Sequence, residues 1–422
     1  MNAPIREERD GGEDVRVGIW IVGALGDVAT TTVLGAHAIA RGLAPPTGLV
    51  TARRPFLDLD LAALGPDRCD LVFGGHDVRE GSPQQAAWAL ADAGVVPGRL
   101  VEALKDDLAA YGARIRPGVA FGSSDLVQRL QSAAARARAA AGQADALAAI
   151  LRDLEAFKES EGLERMVVVA LASTEPRAEV PAALETADAV LAWLDAPAAP
   201  IPSSSLYALA AILAGAPYVN FTPSLGITPA GLQELALRRG VPHMGNDGKT
   251  GQTLIRTVLA PMFLARNFKV LSWSGFNILG NRDGEVLDEP AANAAKTEGK
   301  DSVLSRILGD QLGTSLTRID YVPSLQDWKA AWDYIHFEGF LGTRMHLELT
   351  WRGADSALAA PLVIDLVRLI DLAARGGRKG PQTGLACFFN TPLGVTEYAF
   401  PAQMAMLHAY ADELARIPAT KV

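Results

Sequence analysis

Gly245-Asn246-Asp247-Gly248-Lys249-Thr250-Gly251-Gln252-Thr253 puts an ammonium, a carboxylate and two hydroxyls among three glycines. It runs directly into residues 254–264, where Leu254, Val258, Leu259, Met262 and Phe263 recur at helical spacing. Glycines let a backbone come close to a ligand. A helix start offers N–H groups without intrahelical partners at the positive end of its dipole, so the segment suits an anion such as phosphate. Lys249 adds charge, and Thr250 and Thr253 add hydroxyl donors. The same residue types make an ordinary helix cap, and the loop alone does not choose between the two. Further on, Lys296 and Lys300 stand four apart, on one face if their segment is helical. Two lysines at that spacing are commonly a solvated face. Gathered with Asp247, Lys249, Lys329 and Asp355, they would form a lysine-rich, carboxylate-balanced pocket. Ammonium groups crowded in a dry site depress one another's pKa, so one can act as a base near neutrality. The same charges would hold a phosphate and stabilise an enolate as it forms.

Such residues need a frame, and the chain supplies one from residue 15 onward. Residues 15–22 (VRVGIWIV) form a short β-branched apolar run that ends in Gly23-Ala24-Leu25-Gly26-Asp27-Val28. A helix-compatible stretch follows to about residue 41. Strand, glycine turn and helix are the opening of a dinucleotide-binding unit, here as G-x-x-G-x-x-A rather than the strict fingerprint. A turn that needs glycine only for packing reads the same way. For the ribose partner, spacing leaves two candidates open: the arginine pair Arg53 and Arg54, which would suit a 2′-phosphate, and Asp77 at the end of LVFGGHD. Residues 166–171 (MVVVAL) are a second buried strand, and its polar tail Ser173-Thr174-Glu175 belongs either in the ligand crevice or on a helix cap.

Residues 124–160 read as two helices divided near Gly142, residues 189–202 as a surface linker, and 206–213 as a helix. Residues 218–221 read as a short strand. Residues 269–278, 316–322 and 344–351 then read as longer, partly alternating strands, which suggests a mostly antiparallel layer inserted into a parallel domain. An apolar helix over 359–374 returns to complete the first domain.

The 422 residues exceed what one core usually accommodates, so two domains or a large insertion are expected. A composition of 49% hydrophobic and 21% charged residues is that of a globular chain. A net charge of -9 without a strongly basic stretch argues against a nucleic-acid partner. Cys69 and Cys387 are too few and too isolated for a disulfide framework or a zinc site, and read as buried, reduced side chains. Residues 1–14 are polar, lack the apolar stretch of a signal peptide, and read as a flexible terminus. No apolar run is long enough to span a membrane. A soluble, cytoplasmic protein without a bound metal is expected.

Residues 245–253 resemble the G-D-D-x-K-S-G-Q-T motif of the myo-inositol-phosphate synthase family. Residues 277–284 (NILGNRDG) resemble its N-x-L-G-N-x-D-G motif, residues 74–77 (GGHD) its G-G-x-D-I element, and residues 220–225 (NFTPSL) a degraded N-G-S-P-Q-N segment. The likeness continues through 206–213 and 355–366 and covers most of the chain from residue 15, with the motifs in order and at the right spacing. It implies an α/β fold: a Rossmann-type NAD-binding domain (15–253 and 355–422) with an inserted α+β catalytic and tetramerisation domain (254–354). It also implies an NAD-dependent isomerase that converts glucose 6-phosphate to inositol 3-phosphate. The family oxidises C5, forms an enolate at C6, closes the ring by attack on the C1 aldehyde and reduces C5 again.

By position, the resemblance makes Lys296 the proton shuttle at the C5 hydroxyl, with Lys300 and Lys329 neutralising phosphate and enolate. Asp247 and Asp355 would orient lysine and cofactor. Thr250, Gly251, Gln252, Thr253, Leu279 and Asn281 would hold the phosphate, beside Lys249. Gly23, Ala24, Gly26, Asp27, Val28, Asp77, Ser173, Thr174, Asn220 and Asp283 fall at NAD-binding positions, which leaves Arg53 and Arg54 without a cofactor role. The sequence departs from the family in three places. Asn246 replaces the first acid of G-D-D, and the 220–225 segment keeps only Asn220 and Pro223. In Phe388-Phe389-Asn390-Thr391-Pro392, Asn390 stands where the family has a lysine. Asparagine can hydrogen-bond an oxyanion but cannot carry charge or take a proton, and losing a charged donor typically costs about a hundredfold or more in rate. Lys379 is a candidate to fill in. Asn390 therefore keeps open a related carbocyclase acting on another sugar phosphate, such as fructose 6-phosphate closed to a five-membered cyclitol phosphate. A non-catalytic NAD-binding protein is a further alternative, against which Lys296, Lys300 and Lys329 speak.

Overall fold

In chain order the strands are β1 (Val17–Val22), β2 (Leu64–Gly65), β3 (Arg68–Cys69), β4 (Leu71–Asp77), β5 (Ile115–Pro117), β6 (Arg165–Ala170), β7 (Tyr218–Asn220), β8 (Pro242–Gly245), β9 (Lys269–Leu279), β10 (Leu312–Tyr321), β11 (Trp328–Glu338), β12 (Arg344–Ala354) and β13 (Gly380–Pro381). The computed structural model describes residues 16–66, 68–197, 199–281, 284–285 and 303–417. Asp283, Lys296, Lys300 and residues 1–14 lie outside these.

β1 is a continuous apolar run, and β4 and β6 are apolar up to His76-Asp77 and after Arg165, because parallel strands are covered on both faces. They sit in a seven-stranded sheet of order β13-β8-β7-β6-β1-β4-β5, parallel throughout. The chain fills the sheet outward from β1 through β4 to β5, then returns to the other side of β1 with β6. Strand order therefore reverses between β1 and β6, and a crevice opens there at the carboxyl ends. The register sets Val22 beside both His76 and Ala170, Ala170 beside Asn220, and Asn220 beside Gly245. Every loop named as a candidate from the first domain thus leaves the sheet on one edge.

The helix Asp355–Arg375 brings the chain back. Its Val363, Leu366, Val367 and Ile370 join the same core as β1, β4 and β6. Thr31 donates to Ser356 across the contact at 3.1 Å. Asp365 accepts the amides of Val50 and Thr51 at 2.7 and 3.0 Å, and burial pushes its carboxyl up to about 6.

The second sheet has the order β10-β9-β11-β12. β11 pairs antiparallel with both neighbours, whereas β9 and β10 are parallel and need the crossover of residues 280–311. β11 was not among the expected strands. Its buried positions are Ala330, Ala331, Asp333 and Ile335 and its exposed ones Trp328, Trp332 and Tyr334, so the pattern departs from the apolar-in alternation that marks a strand.

Two other expectations are corrected. Residues 189–202 are not a plain linker: the helix Ala187–Asp195 is capped by Thr186 and buries Trp193, whose Nε1 donates to the Ala199 carbonyl at 2.7 Å. Residues 124–160 form three helices, Asp125–Leu130, Ala133–Ala140 and Gln143–Glu161. Ser132 caps the second, and Gly142 precedes the third. Both cysteines are free, Cys387 buried and Cys69 half-buried. Among the described residues no helix is long and apolar enough to cross a membrane, and no group of three or more His, Cys, Asp or Glu is placed to hold a metal ion.

Candidate active site

A cavity of about 320 Å³ runs from the crevice of the parallel sheet to the edge of the second sheet. At one end is the glycine turn. Gly23 has φ +91°, and a Cβ there would stand 2.8 Å from the Ala172 backbone, so the position requires glycine on both counts. Gly26 precedes the helix Asp27–Ala40 with no side-chain cap, leaving the first N–H groups to the cavity. Asp77 accepts the Leu25 amide at 2.8 Å and the Arg79 amide at 2.9 Å. It ties the end of β4 to the glycine turn while still lining the cavity. Gly23, Gly26, Asp27, Val28, Ser173 and Thr174 line it too. Ala24 is buried beneath the turn.

The polar tail of β6 fits both of its readings. Ser173, Thr174 and Glu175 all line the cavity, and Glu175 also takes the Ser204 amide at 2.8 Å at the start of the helix Ser203–Leu213. Asn220 is fully buried: its Nδ2 donates to the Ser224 carbonyl and to Asn246, each at 2.8 Å, and its Oδ1 accepts from the Thr222 hydroxyl. It builds the turn that brings Thr222 and Ser224 to the wall and is not itself on that wall. Arg53 and Arg54 are exposed and away from the cavity.

At the other end, Thr250 starts the helix Gly251–Ala265 without capping it through its side chain. Its hydroxyl lies 3.2 Å from both Asp355 Oδ1 and Lys329 Nζ. Lys329 donates to Asp355 Oδ1, and Asn281 Nδ2 lies 3.4 Å from Asp355 Oδ2. Gln252, Thr253 and Leu279 complete this end. Lysine, carboxylate, hydroxyl and open helix N–H groups therefore meet at one point. Gln252 contributes differently from expectation. Its Nε2 donates to Asp333 at 2.8 Å and its Oε1 accepts from Asn277 at 2.7 Å, so its backbone N–H is the group presented at the helix start.

Lys249 is not brought to the cavity. Its ammonium donates to Gln403 Oε1, 6.0 Å from the centre of the Phe400 ring, and burial pushes it down to about 8. The loop around it is joined to the C-terminal segment through its backbone: Asn246 N to the Thr391 carbonyl, Lys249 N to the Phe388 carbonyl, Asn390 N to the Asp247 carbonyl and Leu393 N to the Gly245 carbonyl, at 2.7–2.8 Å. This join puts Asn390 on the cavity wall, its Nδ2 donating to Asp247 Oδ2 at 2.8 Å and to the Gly248 carbonyl at 3.2 Å. Lys379 is exposed and away from the cavity, so it does not replace the missing lysine.

Asp327, not singled out from the sequence, also lines the cavity. It accepts from the Ser356 hydroxyl at 2.8 Å. Burial, with Asp355 and Asp27 nearby, pushes its carboxyl up to about 7. An isolated aspartate ahead of Trp328 carries no signal of this role.

The NAD-binding family model described as myo-inositol-1-phosphate synthase matches residues 60–411. The chain belongs to that family. Inositol-3-phosphate synthase 1 of Bacteroides thetaiotaomicron is 36% identical over 396 residues, covering 90% of this chain and 90% of the relative. The Citrus paradisi inositol-3-phosphate synthase is 31% identical over 357 residues, 83% of this chain and 68% of the relative. Among solved structures, inositol-3-phosphate synthase from Caenorhabditis elegans superposes with a TM-score of 0.82 at 25% identity, covering 96% of this chain and 87% of that one. A myo-inositol-1-phosphate synthase-related protein from Thermotoga maritima shares the fold, with a TM-score of 0.75 at 24% identity over 94% of this chain and 98% of that one. The architecture is accordingly the family's Rossmann-type NAD-binding domain with an inserted domain, and the cofactor is NAD. The uncapped helix after Gly26 and the cradle at Gly23 fit the dinucleotide.

Proposed function

We propose that this member of the family is an NAD-dependent inositol-3-phosphate synthase, an isomerase that cyclises D-glucose 6-phosphate to 1D-myo-inositol 3-phosphate. The observation that carries the reading is the single cavity in which the dinucleotide turn at one end faces Lys329, Asp355 and Thr250 at the other. NAD, when bound, supplies the oxidation of C5 and its later reduction. The remaining work falls to side chains. The helix start at Gly251, Gln252 and Thr253, with the positive end of its dipole, suits the phosphate, with Leu279 and Asn281 beside it. Lys329, held by Asp355 and Thr250, stands where negative charge on phosphate and enolate can be met by a fixed cation. By family position, Lys296 moves the proton at the C5 hydroxyl, Lys300 adds positive charge, and Asp283 contributes on the cofactor side. Asp247, held by Asn390, orients the groups around it. Asn390 supplies a neutral donor in place of a cation. No observation favours the five-membered-ring alternative.

Purified protein with NAD⁺ and glucose 6-phosphate, without added reductant, should yield inositol 3-phosphate by NMR. Untouched glucose 6-phosphate with cyclisation of fructose 6-phosphate would sink the reading, and inactivity on both would favour the non-catalytic alternative.

We further propose that residues 254–354 act as the inserted catalytic and tetramerisation unit, and that the protein is a cytoplasmic homotetramer. Support comes from the outer face of the second sheet, where Phe276, Leu316, Trp332 and Tyr334 are exposed, and from Phe340 and Leu341 at the β11–β12 tip, 85% and 86% exposed. Contiguous exposed apolar surface marks an association site. Light scattering on the wild type and on Trp332→Glu tests this, and a monomeric wild type would refute it.

A further inference from the structure

The second sheet carries a polar socket under the start of the helix Gly251–Ala265. Register places Thr317 of β10, Gly275 of β9 and Asp333 of β11 in one row across the sheet. The central position is bare. A Cβ at Gly275 would stand 1.9 Å from an Arg256 guanidinium nitrogen, 2.7 Å from Gln252 Nε2 and 2.9 Å from Asp333 Oδ1. The absent side chain is therefore what lets Arg256 lie across the row. Its Nη1 donates to the Thr317 hydroxyl at 2.8 Å and its Nε to Asp333 Oδ1 at 3.2 Å. Asp333 also takes Trp273 Nε1 at 2.7 Å and Gln252 Nε2 at 2.8 Å. Arg256 is fully buried and Asp333 nearly so.

Gln252 and Arg256 stand four residues apart and share one face of the helix. The socket holds that face at two points one turn apart, which fixes both the rotation and the height of the helix start. We infer that Asp333 is a positioning residue for the anion end of the cavity: acting through Gln252 and Arg256, it aims the N–H groups of residues 251–253 at the substrate phosphate. Asp333 does not line the cavity and acts only through the helix. This inference rests on the reading of the cavity given above.

Three readouts on Asp333→Asn test it: KM for glucose 6-phosphate, competitive Ki for inorganic phosphate, and Kd for NAD. The variant keeps an acceptor but removes the charge that Arg256 is paired with. KM and Ki are expected to rise together by about tenfold or more, as for a lost charge-assisted hydrogen bond, with kcat falling less and NAD affinity within about twofold of the wild type. Removing one partner of a buried ion pair destabilises strongly, so Thr317→Val, which deletes a single acceptor of Arg256, is measured alongside. It should shift KM and Ki in the same direction by about threefold, and it decides the question if Asp333→Asn does not fold. Lowered thermal stability with wild-type KM and Ki would make Asp333 merely structural and overturn the inference. A wild type that neither cyclises glucose 6-phosphate nor binds phosphate would overturn the reading of the cavity, and this inference with it.

Discussion

His243 offers a clean pH experiment because it lies in β8, away from the cavity. It is fully buried, no side chain among the described residues hydrogen-bonds to its ring, and the Val241 backbone is the one polar group that acts on it. Burial pushes its imidazole from 6.5 down to about 4. The sign follows from proton uptake. Between pH 6.5 and 4 the unfolded chain binds a proton at this position that the folded chain refuses, so stability is full above pH 6.5 and is lost as pH falls. Linkage gives a loss of roughly 2 kcal/mol at pH 5 and roughly 3 kcal/mol at pH 4, relative to neutral pH. Asp327 and Asp365, with raised carboxyls, work in the opposite direction over part of this range, so the pH profile of the wild type alone does not isolate the histidine. The difference between the wild type and His243→Leu does. Leucine is of similar size and has no proton to bind. Urea unfolding of both proteins at pH 5 and 7.5 should show the variant, relative to the wild type, roughly 2 kcal/mol more stable at pH 5 than at pH 7.5. Parallel profiles for the two proteins would refute an uncharged, desolvated His243.

Lys329→Met should lower kcat about 10²–10³-fold while NAD still binds, because a fixed cation is removed from the developing charge; steady-state kinetics with a cofactor-binding assay checks this. Lys249→Met should raise KM for glucose 6-phosphate much less than Lys329→Met does, because the Lys249 ammonium is bonded to Gln403; equal increases would return Lys249 to the phosphate. Asp327→Asn should be more stable than the wild type at pH 8 by roughly 3–4 kcal/mol. A raised carboxyl is a stability contribution lost between about pH 4 and 7, so the two proteins should converge near pH 4 in denaturant titrations. Asn390→Lys should disturb the site rather than improve it, lowering kcat/KM about tenfold by breaking the bonds to Asp247 and Gly248; a gain in kcat/KM would show that the asparagine limits the rate.

The parallel sheet was readable because β1, β4 and β6 are buried on both faces and carry polar residues only at their ends, His76-Asp77 in β4 and Arg165 in β6. The loop before residue 251 was readable as a helix start for the same local reasons that make it one. What stayed hidden depends on direction rather than composition. Lys249 lies between two cavity-facing stretches, yet its side chain turns toward Gln403, because the backbone there is paired with residues 388–393, more than a hundred positions away. Asn220 keeps its place in a degraded motif but builds the turn. β11 escaped because its buried row holds an aspartate and its outer row a tryptophan and a tyrosine. Asp333 and Arg256 carry no local signal, and only the register brings them together over Gly275. Asp327 gains its raised carboxyl from burial and from Asp355 and Asp27, which are distant in the chain.

The join between residues 245–249 and 388–393 sets the order in which the protein can become competent during synthesis. Ribosomes deliver the dinucleotide turn first and the second sheet later, and the wall that carries Asn390 follows both. Until it pairs, the backbone groups of Asn246 and Lys249 have no partners and the cavity lacks one side. A nascent chain paused before residue 380 should therefore hold the parallel strands without a closed phosphate end. Chains arrested at that point and probed by limited proteolysis should be cut within 245–250, whereas the released protein should resist cleavage there.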